Sequence, residues 1–156
     1  MAAKIGFLGH GIIQDQTTVY RRLVKEIDKY IRDGSKQFYY ASEYGDFCGL
    51  CSQALDNAKR SFDNISIISV TGPSLSNTQL QTIYSEFKAQ SNNSIYSLLH
   101  LVDFQTASFQ RAMIDWCDVL VCYIDEKRND PLVKTSLKYA LEKGLKIVNL
   151  FNENDI

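Results

Sequence analysis

The sequence predicts an α/β fold: a three-layer sandwich in which a mostly parallel five-stranded sheet carries helices on both faces. Two patterns predict it. Apolar runs of strand length stand at Ile5–Leu8, Phe38–Ala41, Ile65–Val70, Val119–Ile124 and Ile147–Phe151. They are continuous rather than alternating and rich in β-branched or aromatic residues, as strands covered on both faces are. Helical patterns separate them, and a chain that alternates strand and helix closes into a sheet between helical layers through right-handed crossovers.

The elements follow in order. After the first strand, Val19, Leu23, Ile27 and Ile31 recur every four residues, which predicts a helix over Thr18–Arg32 that ends near Gly34. Cys51, Leu55, Ala58 and Phe62 mark a second helix, and Leu80, Ile83, Tyr84 and Phe87 a third. A fourth, over Ser108–Trp116, is expected to bury Phe109, Met113 and Trp116. In the last helix Asp130 is placed to cap, Pro131 suits the first position, Val133, Leu137, Ala140 and Leu141 face the sheet, and Gly144 closes it. Lys88–Thr106 carries the weakest signal, a polar loop at 90–94 and an irregular element that contains His100.

At 156 residues the chain has the commonest size for one domain, so a single domain over 1–156 is expected. Lys plus Arg number 17 against 18 Asp plus Glu, a net charge of −1 that disfavours general nucleic-acid binding or attraction to an anionic membrane. The opening MAAKIGFLGHGIIQ reads as a strand and a glycine turn rather than a secretory signal, and no run approaches the roughly 20 apolar residues that span a bilayer. A cytoplasmic protein with Cys48, Cys51, Cys117 and Cys122 reduced is the expectation. Nine Tyr and eight Phe in a small domain make a homo-oligomer plausible.

In open parallel sheets, ligands bind beyond the carboxyl ends of the strands, where helix N-termini converge. That rule selects Gly9-His10-Gly11, Ser42–Phe47, Thr71–Ser74 and Asp125–Pro131. Gly9 and Gly11 allow a tight turn and close approach of a ligand. His10 reads either as a phosphate donor or acid/base group, or as a ring that hydrogen-bonds its own turn. Ser42-Glu43-Tyr44-Gly45-Asp46-Phe47 offers carboxylates for ribose hydroxyls, and equally a solvated cap for the second helix.

Taken in order, these segments resemble the SLOG superfamily, the Rossmann-like nucleotide-ligand-binding group that includes the LOG-type phosphoribohydrolases, and especially its small stand-alone bacterial members. The resemblance runs over nearly the whole chain, through Ile5–His10, Phe38–Phe47, Met113–Tyr123 and Lys138–Leu150. It implies a domain that binds a nucleotide or nucleotide-derived small molecule across the strand ends. Gly9, His10, Gly11, Ser42, Glu43, Gly45, Asp46 and Thr71 would form one wall and Gln110, Arg128, Asn129 and Lys134 the other. Glu43 and Asp46 would accept from ribose, and Arg128 with Lys134 would pair phosphate. The departures are specific: Pro131-Leu132-Val133 stands where the family usually has Gly-Gly-Thr, Phe109-Gln110 where it has Arg-Asn, and Cys48 where Asp is common. With the phosphate cradle altered and the LOG-type catalytic signature absent, binding or sensing is expected over turnover. No cofactor is expected.

Three other readings use the same residues. An N-glycosidase or deoxyribosyltransferase-like enzyme would need a carboxylate beside the sugar carbon, for which Glu43, Asp46 and Asp125 are the candidates. Cys48-Gly-Leu-Cys51 before a helix has thioredoxin-like spacing, although two helix-lining thiols explain it as well. The altered glycines also fit a scaffold that has lost its ligand. Zinc is disfavoured, because Cys117 and Cys122 span a predicted helix–strand junction.

Overall fold

The computed structural model describes residues 3–34, 37–41, 45–70 and 109–152. Five strands, β1 (Lys4–Gly9), β2 (Gln37–Ala41), β3 (Ser66–Val70), β4 (Val119–Tyr123) and β5 (Lys146–Asn149), pair in the order β3-β2-β1-β4-β5, and all four pairings are parallel. Ile5 sits opposite both Phe38 and Val119, so β1 is the centre of the sheet. Helices α1 (Gln16–Arg32) and α2 (Asp46–Ser61) cover one face, and α3 (residues 109–116) and α4 (Pro131–Lys143) the other.

The continuous apolar runs have the expected cause. Every residue of β1 after Lys4 is buried, as are the first four of β4, because each has helices above and below. Ile5, Phe7, Val119 and Val121 join Val19, Leu23, Ile27 and Leu55 in one core; Leu8, Leu120 and Cys122 join Met113, Ile114, Val133 and Ala140 in the other. Side chains of this kind each contribute about 1.5–3 kcal/mol when fully buried.

Helix ends follow the sequence signals. Asp15 caps α1 by accepting from the Thr18 N–H at 3.2 Å, which lowers its pKa below the ordinary carboxylate value. Asp130 caps α4, Pro131 follows it, and Gly144 ends the helix with φ 83°.

Several expectations are corrected. The last strand stops at Asn149, and Leu150–Asn152 form a 3-10 turn instead. Asn149 is the reason: its Oδ1 accepts from Ile124 N–H at 3.1 Å and its Nδ2 donates to Ile124 O at 2.9 Å, so a side chain takes the ladder's next place. The Leu150 carbonyl turns to accept from Arg22 at 2.7 Å, and the Leu150 side chain enters the α1 core. Trp116 and Leu141 are exposed, 51% and 58%, because each lies about a third of a turn off the buried stripe of its helix, Gln110-Met113-Ile114 and Val133-Ser136-Ala140 respectively. Phe62 is the exposed C-cap of α2. The third helix expected at Leu80–Phe87, the stretch Lys88–Thr106 and His100 lie outside the described residues. Among the described residues, no helix is long and apolar enough to cross a membrane.

All four cysteines are thiols. Cys51, Cys117 and Cys122 are buried and Cys48 is half-buried. Burial raises the Cys117 and Cys122 pKa values from 9.0 to about 12. A folded-state pKa raised this way means that the unfolded chain releases protons that the folded chain retains. Stability is therefore intact below pH 9 and lost as pH rises toward 12, by roughly 1.4 kcal/mol per thiol per pH unit. Urea unfolding at stepped pH is expected to show this decline, and the double variant Cys117→Ala/Cys122→Ala, whatever its stability at neutral pH, should show a shallower one. Equal slopes would sink the assignment.

Candidate functional site

The strand order reverses between β1 and β4, and the crevice beyond their C-terminal ends is where a parallel α/β sheet admits a ligand. Three loops meet there: residues 10–15 after β1, residue 45 before α2, and residues 124–130 after β4.

His10 joins all three. Its N–H donates to Tyr123 O at 3.4 Å, and its carbonyl accepts from Phe47 N–H at 3.4 Å. The imidazole is fully buried. Its Nε2 accepts from Asp125 N–H at 2.9 Å, and a backbone N–H can only donate, so the ring proton resides on Nδ1. From there it donates to Asp130 Oδ2, also at 2.9 Å. Both nitrogens are thus engaged inside the protein. The ring is neither a phosphate donor nor an acid/base group as it stands, and it binds across to the β4 loop rather than within its own turn.

Asp130 does two things at once. Its Oδ1 accepts from Val133 N–H at 3.4 Å as the cap of α4, while Oδ2 receives the imidazole proton. Asp46 is the counterpart at α2. Its N–H donates to Gly11 O at 2.8 Å, and its Oδ2 accepts from Ile13 N–H at 2.8 Å, so the first residue of α2 holds the loop after β1 from two sides. Asp125 Oδ1 accepts from Lys127 N–H at 3.0 Å, and Asp125 O accepts from Arg128 N–H at 3.0 Å, which folds the β4 loop into a turn. The Arg128 guanidinium then reaches across the crevice to Ile12 O at 2.7 Å.

The glycines divide by role. A Cβ on Gly9 would fall 2.3 Å from Phe47 Cγ, so Gly9 makes room for the first turn of α2 and not for a ligand. A Cβ on Gly45 would fall 3.0 Å from Gly11 Cα, a backbone atom that would have to give by a few tenths of an ångström, and Gly45 holds φ 158°. These two glycines let α2 start close against the loop. Gly11 differs: it is exposed, and among the described residues a Cβ there would meet nothing within 4 Å. Its carbonyl accepts from Asp46 N–H, and no described side chain covers it on the Cβ side.

Of the remaining expected residues, Ser42, Glu43 and Thr71 lie outside the described residues. Gln110 is buried at 1% exposure between α3 and α4, where its Oε1 accepts from the Ser136 hydroxyl, so it belongs to the core and not to an open wall. Asn129 and Lys134 are exposed beside the start of α4. The sequence did not signal the pairing of His10 with Asp130, which are 120 residues apart. Asp130 was visible only as a cap, and a His ending a strand opposite an Asp-Pro helix start was the available clue.

A separate apolar groove of about 280 Å³ runs between α1 and α2, lined among others by Val24, Ile31, Ala58 and Phe62. It gathers little polar chemistry, whereas the strand-end crevice gathers backbone donors, carboxylates and a guanidinium. Among the described residues, no group of three or more His, Cys, Asp or Glu is placed to hold a metal ion. The strand order and the layers define a Rossmann-like α/β domain with a crevice at its strand ends. No protein-family model matches the chain, and no curated protein matches it.

The description of His10 is open to direct measurement. A long-range ¹H–¹⁵N spectrum at neutral pH is expected to give Nδ1 the shift of a protonated nitrogen and Nε2 that of a bare one. His10→Ala should cost roughly 2–4 kcal/mol, since it strands the Asp125 N–H and one Asp130 oxygen near the core. A ring protonated on Nε2 would contradict the arrangement.

Proposed function

We propose that this chain is a SLOG-type domain that binds a nucleotide-derived small molecule beyond the C-terminal ends of β1, β2 and β4, as a sensing or sequestering protein. The observation that carries the reading is the bare, exposed backbone of Gly11 at the point where the strand order reverses, beside Gly45 and Asp46 and under the reach of Arg128. Close approach of glycine backbone at a first βα turn is how Rossmann-like sheets admit the phosphates of a nucleotide. The Gly-His strand end and the final helix and strand that resemble the superfamily supply the second support. A binding role fits the carboxylates better than turnover does. Asp46 and Asp125 each engage one oxygen with a backbone N–H, as positioning groups do.

Two glycines separate this reading from a purely structural one. Gly11→Leu adds a side chain into open space, so stability should stay within about 0.5 kcal/mol of the parent. Gly9→Ala meets the Phe47 ring and should cost about 1–3 kcal/mol. In a thermal-shift screen of nucleosides, nucleotides, cyclic nucleotides and ADP-ribose, a ligand at about 100 times its Kd contributes about 2.7 kcal/mol. In a domain of this size that raises Tm by roughly 5–10 °C. The shift is expected in the parent and lost in Gly11→Leu. A ligand that binds both proteins equally would move the site elsewhere, and silence across the panel would leave the scaffold without this function.

A further inference from the structure

The apolar groove between α1 and α2 stands apart from the strand-end crevice, and its chemistry is self-complementary. Ile27, Ala54 and Ala58 form its floor, each buried or partly buried. Val24 and Phe62 line it and are also among the few large apolar side chains that the described residues expose. The polar side chains on its walls already have partners inside the protein. Asn57 Nδ2 donates to the Tyr20 hydroxyl at 2.6 Å, and Arg32 Nη2 donates to Asp28 Oδ2 at 2.6 Å. An apolar surface laid into the groove leaves both bonds intact.

A hollow and exposed apolar knobs on one patch are what a two-fold interface requires, because the axis sets each copy's projections over the other's hollow. The charges obey the same symmetry. Lys25 and Asp28 are neighbours on the surface of α1, about midway along the wall that runs from Tyr20 to Ile31. Lys25 is exposed and makes no hydrogen bond or ion pair among the described residues. A two-fold axis crossing α1 at that level runs the two α1 helices antiparallel and brings Lys25 of each copy opposite Asp28 of the other. In a free chain water and salt screen both charges; at the centre of a covered interface they act at closer to full strength. Beside the groove on α2, Asp56 and Arg60 again mix the signs. That mixture suits a copy of the same surface better than a uniformly charged peptide or an anionic membrane.

We infer that this face is a homodimer interface, in which α1 and α2 of a second copy pack antiparallel across the groove. Val24 and Phe62 of each copy fill the hollow of the other, and two identical Lys25–Asp28 pairs flank the axis.

Sedimentation equilibrium of the full chain at roughly 1–100 μM tests it. The expected mass is twice the 17.8 kDa of one chain. Val24→Glu, at an exposed position, should weaken the dimer at least about tenfold while circular dichroism and Tm stay those of the parent; Trp116→Glu, on the opposite face of the sheet, should leave it unchanged. Lys25→Glu and Asp28→Lys should each weaken it about tenfold by opposing like charges across the axis. An equimolar mixture of those two variants should recover the parent's affinity to within about threefold, because the heterodimer restores both ion pairs. Recovery also shows that both variants are folded. A monomer throughout the range overturns the inference and leaves the groove to a helix of another protein. A dimer weakened by Trp116→Glu and not by Val24→Glu, or a mixture no tighter than its components, overturns it as well.

Discussion

An imidazole sealed from water sits where the strand order of the sheet reverses, and the geometry of the whole crevice depends on its hydrogen bonds. His10 bonds to β4 and α2 through its backbone and to Asp125 and Asp130 through its ring, so the loops after β1 and β4 share one joint. A buried polar ring is tolerated only when both nitrogens are satisfied, and here each partner dictates the role of its nitrogen. The tautomer is therefore set by an amide that can only donate. A second ring proton would point N–H at N–H, and the two loops would lose their register.

The same logic runs through the carboxylates. A loop that lies over strand ends has backbone donors with no ladder to join, and each must find an acceptor. Asp46 supplies one for Ile13, Asp125 one for Lys127 and Asp130 one for Val133. Side-chain acceptors on fixed helix starts hold the loops more rigidly than water would. The consequence reaches function: groups engaged in positioning are withdrawn from ligand contact, and the surface left for a ligand narrows to exposed backbone at Gly11 and to oxygens that the protein does not itself occupy.

The division between what the residues disclosed in sequence and what they did not has a physical basis. Strands buried on both faces and helices with one buried stripe carry their period in the sequence, so β1, β4, α1 and α4 were legible within a residue or two at each end. Asp130-Pro131 and Gly144 marked the ends of α4 because capping is local. Trp116 and Leu141 failed locally, by their angle around their own helices, and the other failures are non-local. Leu150 and Phe151 look like strand until Asn149 is seen to pair with Ile124, 25 residues earlier. Gly9 looks like a ligand glycine until Phe47 packs on it. Gln110 looks like a site residue until Ser136 receives it inside the core. Polarity in a sequence shows that a partner is needed, and only the fold shows whether that partner is protein or ligand.

The contacts that span the crevice also differ in strength, and that difference orders what can move. The His10–Asp130 bond is buried on the imidazole side and charge-assisted, and removing either member leaves the other stranded. The bond from Arg128 to Ile12 O is exposed and ends on a neutral carbonyl; water replaces it at little cost. A ligand on Gly11, as proposed, would lie next to that second contact and would not need to disturb the first. The strand-end frame is therefore preorganised, with little ordering entropy to lose, while the Arg128 guanidinium at the rim is held by the weaker of the two contacts.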